Sequence, residues 1–199
     1  LFLASVPKLA ALSMTARLLT SGFEDFLIGW QQILIILAIS SIYFGSIAAI
    51  AQTNIKRLLA YSSISHMGFA LIGLACASPD GIAALIWYLL VYLIMTIGIF
   101  TFVLSIENGD PDSLNIDRLS GLSKSNPNKA LLVTFLVCSM AGLPPFLGFF
   151  AKYLIFASAI KVGFIWVVVL AVIGSVIGSF YYLRLIYFIY FGEPNNPVS

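Results

Sequence analysis

Ala141-Gly142-Leu143-Pro144-Pro145-Phe146-Leu147-Gly148-Phe149-Phe150-Ala151-Lys152 is the stretch that decides how this chain folds. It lies within an apolar run from about residue 130 to 160. As a single helix, about thirty residues rising 1.5 Å each would reach about 45 Å, against a bilayer core of about 30 Å. Pro145 has no N–H and its ring clashes with the carbonyl four residues back; Pro144 does the same one position earlier. The run therefore predicts a discontinuous helix, broken near Gly142–Pro145. Backbone released from helical bonding survives at membrane depth only inside protein or beside water. Broken helices of this kind point to ion sites in transporters.

Outward from that run the pattern repeats. The chain has 199 residues, of which 61% are hydrophobic and 9% charged, and its mean hydropathy is +1.05. A soluble domain carries about 25% charged residues, so this chain lacks the charge to cover a water-facing surface. Apolar segments of bilayer-spanning length are expected at about 1–20, 30–51, 56–77, 82–106, 130–160 and 163–191. The reading is an all-α integral membrane protein of about six transmembrane helices, one of them discontinuous. No long polar linker divides it, so residues 1–199 read as a single transmembrane helical domain. Ser78-Pro79-Asp80-Gly81 reads as a turn. Glu107 to Lys129 reads as the one sizeable loop, and Gly192 to Ser199 as a polar tail. The first apolar run begins at Leu1 with no polar leader, which suggests the later part of something longer.

The net charge of +2 is too small to imply nucleic acid, and no basic patch is interleaved with aromatics. Cys76 and Cys138 sit inside apolar runs and read as small core residues. One histidine cannot build a zinc site, and no phosphate loop or nucleophile triad is present. Neither a metal nor a cofactor is expected in this chain. Because spans alternate sides, Lys56, Arg57, Arg118, Lys124, Lys129 and Arg184 gather at one end, with only Arg17 and Lys161 at the other. The positive-inside rule puts the Lys56 end in the cytoplasm or matrix. Lys56 and Arg57 read as anchors at that interface, with proton entry as the minor alternative. Arg184, among Phe180, Tyr181 and Tyr182, reads as part of an aromatic interface belt.

Three ionisable residues lie within apolar runs. Lys152 is flanked by apolar residues, and a lysine near the bilayer centre costs roughly 2.5–3.5 kcal/mol on insertion scales. It either faces a polar interior or snorkels to a nearby helix end. Lys8 follows Pro7, and its depth depends on what precedes residue 1. His66 lies in Tyr61-Ser62-Ser63-Ile64-Ser65-His66-Met67; it is either a satisfied buried histidine or a proton relay. Ser62, Ser63 and Ser65 add polarity on nearby turns, enough to hold water. Two lysines and a histidine linked by water and hydroxyls would form a proton path. No acidic residue lies within any apolar run, so the counter-charges that such lysines need are expected from outside this chain.

Pro7-Lys8-Leu9-Ala10-Ala11, the run Ile55-Lys56-Arg57-Leu58-Leu59-Ala60-Tyr61-Ser62-Ser63-Ile64-Ser65-His66-Met67-Gly68-Phe69, and Ala141 to Lys152 fit one pattern. The chain resembles the antiporter-like membrane subunits of respiratory complex I, most closely the subunit 2 type. Phe180-Tyr181-Tyr182-Leu183-Arg184 also fits that subunit's ending. The resemblance covers nearly the whole chain in order, and the run around His66 is its most specific part. It implies the eighth to thirteenth of about fourteen helices, arranged in the family as two inverted five-helix repeats with extra helices. It places Lys8, His66 and Lys152 on a central hydrophilic axis, with Lys152 linking the axis to the outlet. Pro7, Gly142, Pro144, Pro145, Ser62 and Ser65 are the supporting residues.

The first-repeat broken helix, with its lysine and partner glutamate, is missing. Either the subunit is divided, with a separate chain carrying its first half, or this sequence is part of a longer one; other membrane-arm subunits and lipids are expected as partners. A divided subunit implies an organelle lineage, hence the mitochondrial inner membrane, with a bacterial plasma membrane as alternative. The function implied is proton translocation within an NADH:quinone reductase, with no redox chemistry in this chain. The competing readings are a subunit of a multi-subunit cation/proton antiporter, and a non-conducting structural part of the membrane arm.

Overall fold

The computed structural model describes residues 2–23, 26–107 and 114–192. All major elements are helices: α1 (Phe2–Gly22), α2 (Leu27–Ile50), α3 (Ile55–Ala75), α4 (Pro79–Ile106), α5 (Leu122–Ser125), α6 (Pro127–Ala141), α7 (Leu147–Lys161) and α8 (Ile165–Phe191), with a 3-10 turn at Ile116–Leu119 before α5. Helices α2, α3, α4 and α8 are each long and apolar enough to cross a membrane. α6 and α7 have 15 residues each and form one further crossing in two halves. α1 has the length of a crossing but carries Lys8 and Arg17. Of the expected polar segments, residues 108–113 of the loop and 193–199 of the tail lie outside the described residues.

The helix ends follow from local chemistry. The Asn54 side chain accepts hydrogen bonds from the N–H groups of Lys56 and Arg57 and so starts α3. Ser78 caps α4 by accepting from Gly81 N–H, with Pro79 in the first turn, where its missing N–H costs nothing. The stop expected at 78–81 is thus the start of α4, three residues earlier than the sequence suggested.

Thr53 O accepts from Ile116 N–H at 2.9 Å. Arg184 donates to Ile50 O at 3.0 Å. These contacts gather the α2–α3 connection, the 3-10 turn and the end of α8 at one end of the bundle, where Lys56 also pairs with Glu107 at 2.5 Å. Lys161 and Asp80 pair at 2.7 Å at the opposite end. The side chains of Lys56 and Glu107 are 41% and 32% exposed, so solvent screens them. Glu107→Gln is expected to change stability by less than about 1 kcal/mol, measurable as a small shift in thermal unfolding in detergent.

α2 and α3 pack with backbones in near contact. A Cβ added to Gly45 would stand 2.6 Å from Ser65 N, and one on Gly68 would stand 2.7 Å from Ala38 O. Close approach through small residues is how helices associate where lipid removes the hydrophobic drive. It sets the face of α3 that carries Ser62, Ser63 and His66 toward α1, α4 and α8.

Candidate functional site

The broken helix was expected from Pro144 and Pro145, and its geometry rests on Gly142. α6 ends in a Schellman motif: Leu143 N–H bonds to Cys138 O, and Gly142 N–H to Ser139 O. Gly142 is left-handed, with φ +83°, a conformation that disfavours any Cβ. Phe146 N–H closes a turn on Leu143 O at 3.0 Å, and the Pro144–Pro145 bond within it is cis. α7 then begins against the end of α6, with Gly148 N–H donating to Ser139 Oγ at 3.1 Å.

The end of α6 leaves the Ala141 carbonyl free, and Lys152 takes it. Lys152 is 7% exposed. Its Nζ donates to Ala141 O at 3.0 Å and to Ser175 Oγ on α8 at 3.0 Å. The Phe69 ring centroid lies 4.8 Å away on α3, within cation–π range. The negative end of the α6 dipole therefore faces the ammonium. A lysine so held points into the bundle at the interrupted end of α6, not out toward the bundle's ends as a snorkelling side chain would. A cavity of about 360 Å³, lined by Gly142, Tyr153, Phe156, Ser175, Val176 and Ser179 among others, reaches Lys152.

His66 is 3% exposed and sits in a cage of tyrosines. Its Nδ1 lies 2.7 Å from Tyr88 Oη and its Nε2 2.9 Å from Tyr182 Oη. The Tyr92 ring packs against it with centroids 5.3 Å apart. Tyr182 Oη also bonds to Ser62 Oγ. Lys8 is half-buried and donates to Ser63 Oγ at 2.8 Å; Ser63 in turn donates to Ala60 O at 2.7 Å.

The three residues singled out from sequence thus face one region. Ser63, His66 and Phe69 follow one another at three-residue steps along α3 and meet Lys8, the tyrosines and Lys152 in that order. Six residues of helix place the two lysine contacts about 9 Å apart along α3, with His66 between. No direct hydrogen bond joins either lysine to His66: their bonds go to Ser63, Ala141 and Ser175.

Of the supporting residues, Gly142, Pro144 and Pro145 form the break and Ser62 joins the histidine cage. Ser65 turns away, to Ser46 Oγ at 3.2 Å. Pro7 lies on the exposed side of α1, inside a continuous helix and one residue before Lys8.

Tyr88, Tyr182, Ser175 and Phe69 were not singled out from sequence. Tyr181 and Tyr182, assigned to an interface belt with Arg184, are instead almost wholly buried. Arg184 itself caps the carbonyls at the end of α2, at Ile50 O and Gln52 O.

An interrupted span whose free carbonyl end receives a charged group is a geometry that recurs at the ion sites of membrane transporters. Residues 1–178 match the family model described as NADH:quinone oxidoreductase/Mrp antiporter, TM, and the chain belongs to that family of multi-pass membrane proteins. It is 49% identical over 198 residues to NADH-quinone oxidoreductase subunit N of Rhodobacter capsulatus, covering 100% of this chain and 41% of that one. It is similar to a chain in respiratory complex I of Thermus thermophilus with bound aureothin (36% identity, 83% of this chain, 37% of that chain, TM-score 0.74). It is also similar to one in the Mrp complex of Dietzia sp. DQ12-45-1b (28% identity, 93% and 34%, TM-score 0.83). The chain spans about two fifths of the length of the curated relatives it matches.

Proposed function

We propose that this chain supplies the second half of a proton path in the membrane arm of an NADH:quinone oxidoreductase, with Lys8, His66 and Lys152 as its proton-holding groups. The observation that carries the reading is the enclosed Lys152 ammonium, held by the free carbonyl of the interrupted helix and lying beside a cavity of about 360 Å³. The Ser175 and Ser179 hydroxyls beside Lys152 are the polar groups that could hold water there. An ammonium is a donor only; once it releases a proton, the same nitrogen accepts one, so Lys152 can alternate between the α6 carbonyl and the cavity. The family shares its fold between quinone reductases and cation/proton antiporters. The 49% identity to a quinone-reductase subunit, against 28% to the Mrp chain, favours the quinone reductase.

Asp80, Glu107 and Asp117, the acidic residues among those described, lie at helix ends or in the connection before α5. We place the carboxylates that balance Lys8 and Lys152 in the first-repeat part of the subunit, in a separate chain where the subunit is divided, and in neighbouring membrane-arm subunits. The bacterial relatives favour a bacterial plasma membrane over the mitochondrial inner membrane.

The test is Lys152→Met in the assembled complex in sealed vesicles, with NADH oxidation and proton uptake recorded together. The expected result is intact assembly with coupled turnover reduced by tenfold or more, in the range that a positioned proton-transfer group contributes. Parental uptake and turnover would leave Lys152 a packing residue and the chain a non-conducting part of the arm.

A further inference from the structure

The tyrosine cage around His66 suggests more than packing. Each imidazole nitrogen meets a different hydroxyl, Tyr88 on α4 at Nδ1 and Tyr182 on α8 at Nε2. Tyr182 carries the connection on to Ser62. The result is a buried hydrogen-bonded chain, Ser62–Tyr182–His66–Tyr88, in which every member can both donate and accept. No carboxylate among the described residues bonds to the ring, so nothing there holds it as an imidazolium. Resting on the proton-path reading, we infer that Tyr88 and Tyr182 set which nitrogen of His66 carries its proton, and that the histidine passes protons by tautomer reversal along this chain while staying neutral.

The step balances. In one orientation Ser62 Oγ donates to Tyr182 Oη, Tyr182 Oη donates to Nε2, and Nδ1–H donates to Tyr88 Oη. A proton handed to Ser62 Oγ by a protonated water at that end sends that hydroxyl's proton to Tyr182, the Tyr182 proton to Nε2, the Nδ1 proton to Tyr88, and the Tyr88 proton to a water that we place beyond its hydroxyl. Each group loses one proton and gains one, so no charge accumulates. The chain ends with every hydrogen bond reversed and the imidazole in its other tautomer. A second proton in the same direction waits until the hydroxyls and ring turn back, which makes the chain a one-proton device per cycle. Tyr182 is the positioning residue on which this depends most, because it alone bonds to both Ser62 and the ring.

Three variants in the complete complex, in sealed vesicles, test this: Tyr182→Phe, Tyr88→Phe and His66→Gln. Phenylalanine keeps each ring's packing and removes only the hydroxyl. Glutamine keeps one donor and one acceptor for the two tyrosines but cannot move a proton between them. The expected result is assembly in all three, with coupled turnover and proton uptake down about tenfold or more. The slowing of turnover in deuterium oxide should grow as proton transfer becomes limiting, which a packing defect would not produce.

Parental uptake in His66→Gln or in Tyr182→Phe overturns the inference, as does reduced turnover with an unchanged isotope effect. Should Tyr182→Phe fail to assemble, His66→Gln decides alone. Lys152→Met separates the two levels. If it spares uptake, the proton path itself fails; if it abolishes uptake while the phenylalanine and glutamine variants retain it, only the tautomer chain fails.

Discussion

Gly148→Ala is expected to prevent normal assembly, although it adds one methyl group. Gly148 lies in the first turn of α7, where α7 crosses the end of α6, and a Cβ built there overlaps the Ser139 backbone carbonyl. The obstructing atoms are main chain, so no rotamer change relieves them. α6 and α7 must part, and the bond from Gly148 N–H to Ser139 Oγ goes with them. Overpacking of this kind costs roughly 1–3 kcal/mol and a lost buried hydrogen bond about 1 kcal/mol more, so destabilisation of about 2–4 kcal/mol is expected. Lys152 sits one turn further along α7, so whatever protein does assemble should be poorly coupled. Native gel yield of the complex and thermal unfolding of the purified protein check this. Gly29→Ala is the control: it lies in α2 with no heavy atom within 4 Å of its added Cβ and should be neutral or slightly stabilising. Equal yields for the two variants would mean that α6 and α7 are not held as closely as the structure has them.

The same crossing separates what the sequence disclosed from what it hid. Two consecutive prolines in an apolar run too long for the bilayer demand a break, because the missing N–H groups and ring clashes are properties of the residues themselves. Gly142 at the break was legible for the same reason, since a left-handed residue after a helix is most often glycine. Lys152 stood out because its desolvation is costly wherever it lies in the membrane. The contacts made when α7 returns onto α6 were not legible. The acceptors of the ammonium, Ala141 O and Ser175 Oγ, come from the end of one helix and the middle of another, and no spacing along the chain brings them together.

The tyrosines were hidden for a different reason. Tyr88 and Tyr92, one helical turn apart in α4, and Tyr181 and Tyr182 in α8, are amphipathic side chains that suit either a membrane interface or a wet interior. Their proximity to Arg184 drew the second pair to the interface reading. Helix geometry held the corrective. Tyr182 lies nine residues before the end of α8 at Phe191, about 13 Å at 1.5 Å per residue, and its hydroxyl reaches inward to Ser62 and His66. The serines on α3 were read as a place for water. Ser62 instead bonds directly to Tyr182, and Ser65 serves the α2 contact; which neighbour each serine meets is set by the packing of α2 and α8 on α3.

Gly142→Ala should separate function from stability in a way that Gly148→Ala does not. At φ +83° an alanine costs about 1–2 kcal/mol of backbone strain, which a bundle of this size absorbs. The added Cβ would then stand 3.0 Å from Lys152 Cδ and 3.1 Å from its Nζ. Those atoms belong to a flexible side chain, so the lysine gives way and its ammonium leaves Ala141 O, Ser175 Oγ or both. Alternatively the last turn of α6 relaxes to a right-handed end, and Ala141 O swings away from the ammonium. Either route moves the proton-holding group while leaving the helices packed. Gly163→Ala isolates the effect. Gly163 has φ +90° and no heavy atom within 4 Å of an added Cβ, so it carries the same strain with nothing to displace. The two variants should lose similar stability in thermal unfolding. Coupled turnover in vesicles should fall tenfold or more for Gly142→Ala and stay near parental for Gly163→Ala. If the two turn over alike, then the position of the Lys152 ammonium relative to the interrupted helix does not govern proton movement, and the carbonyl end of α6 is a structural cap.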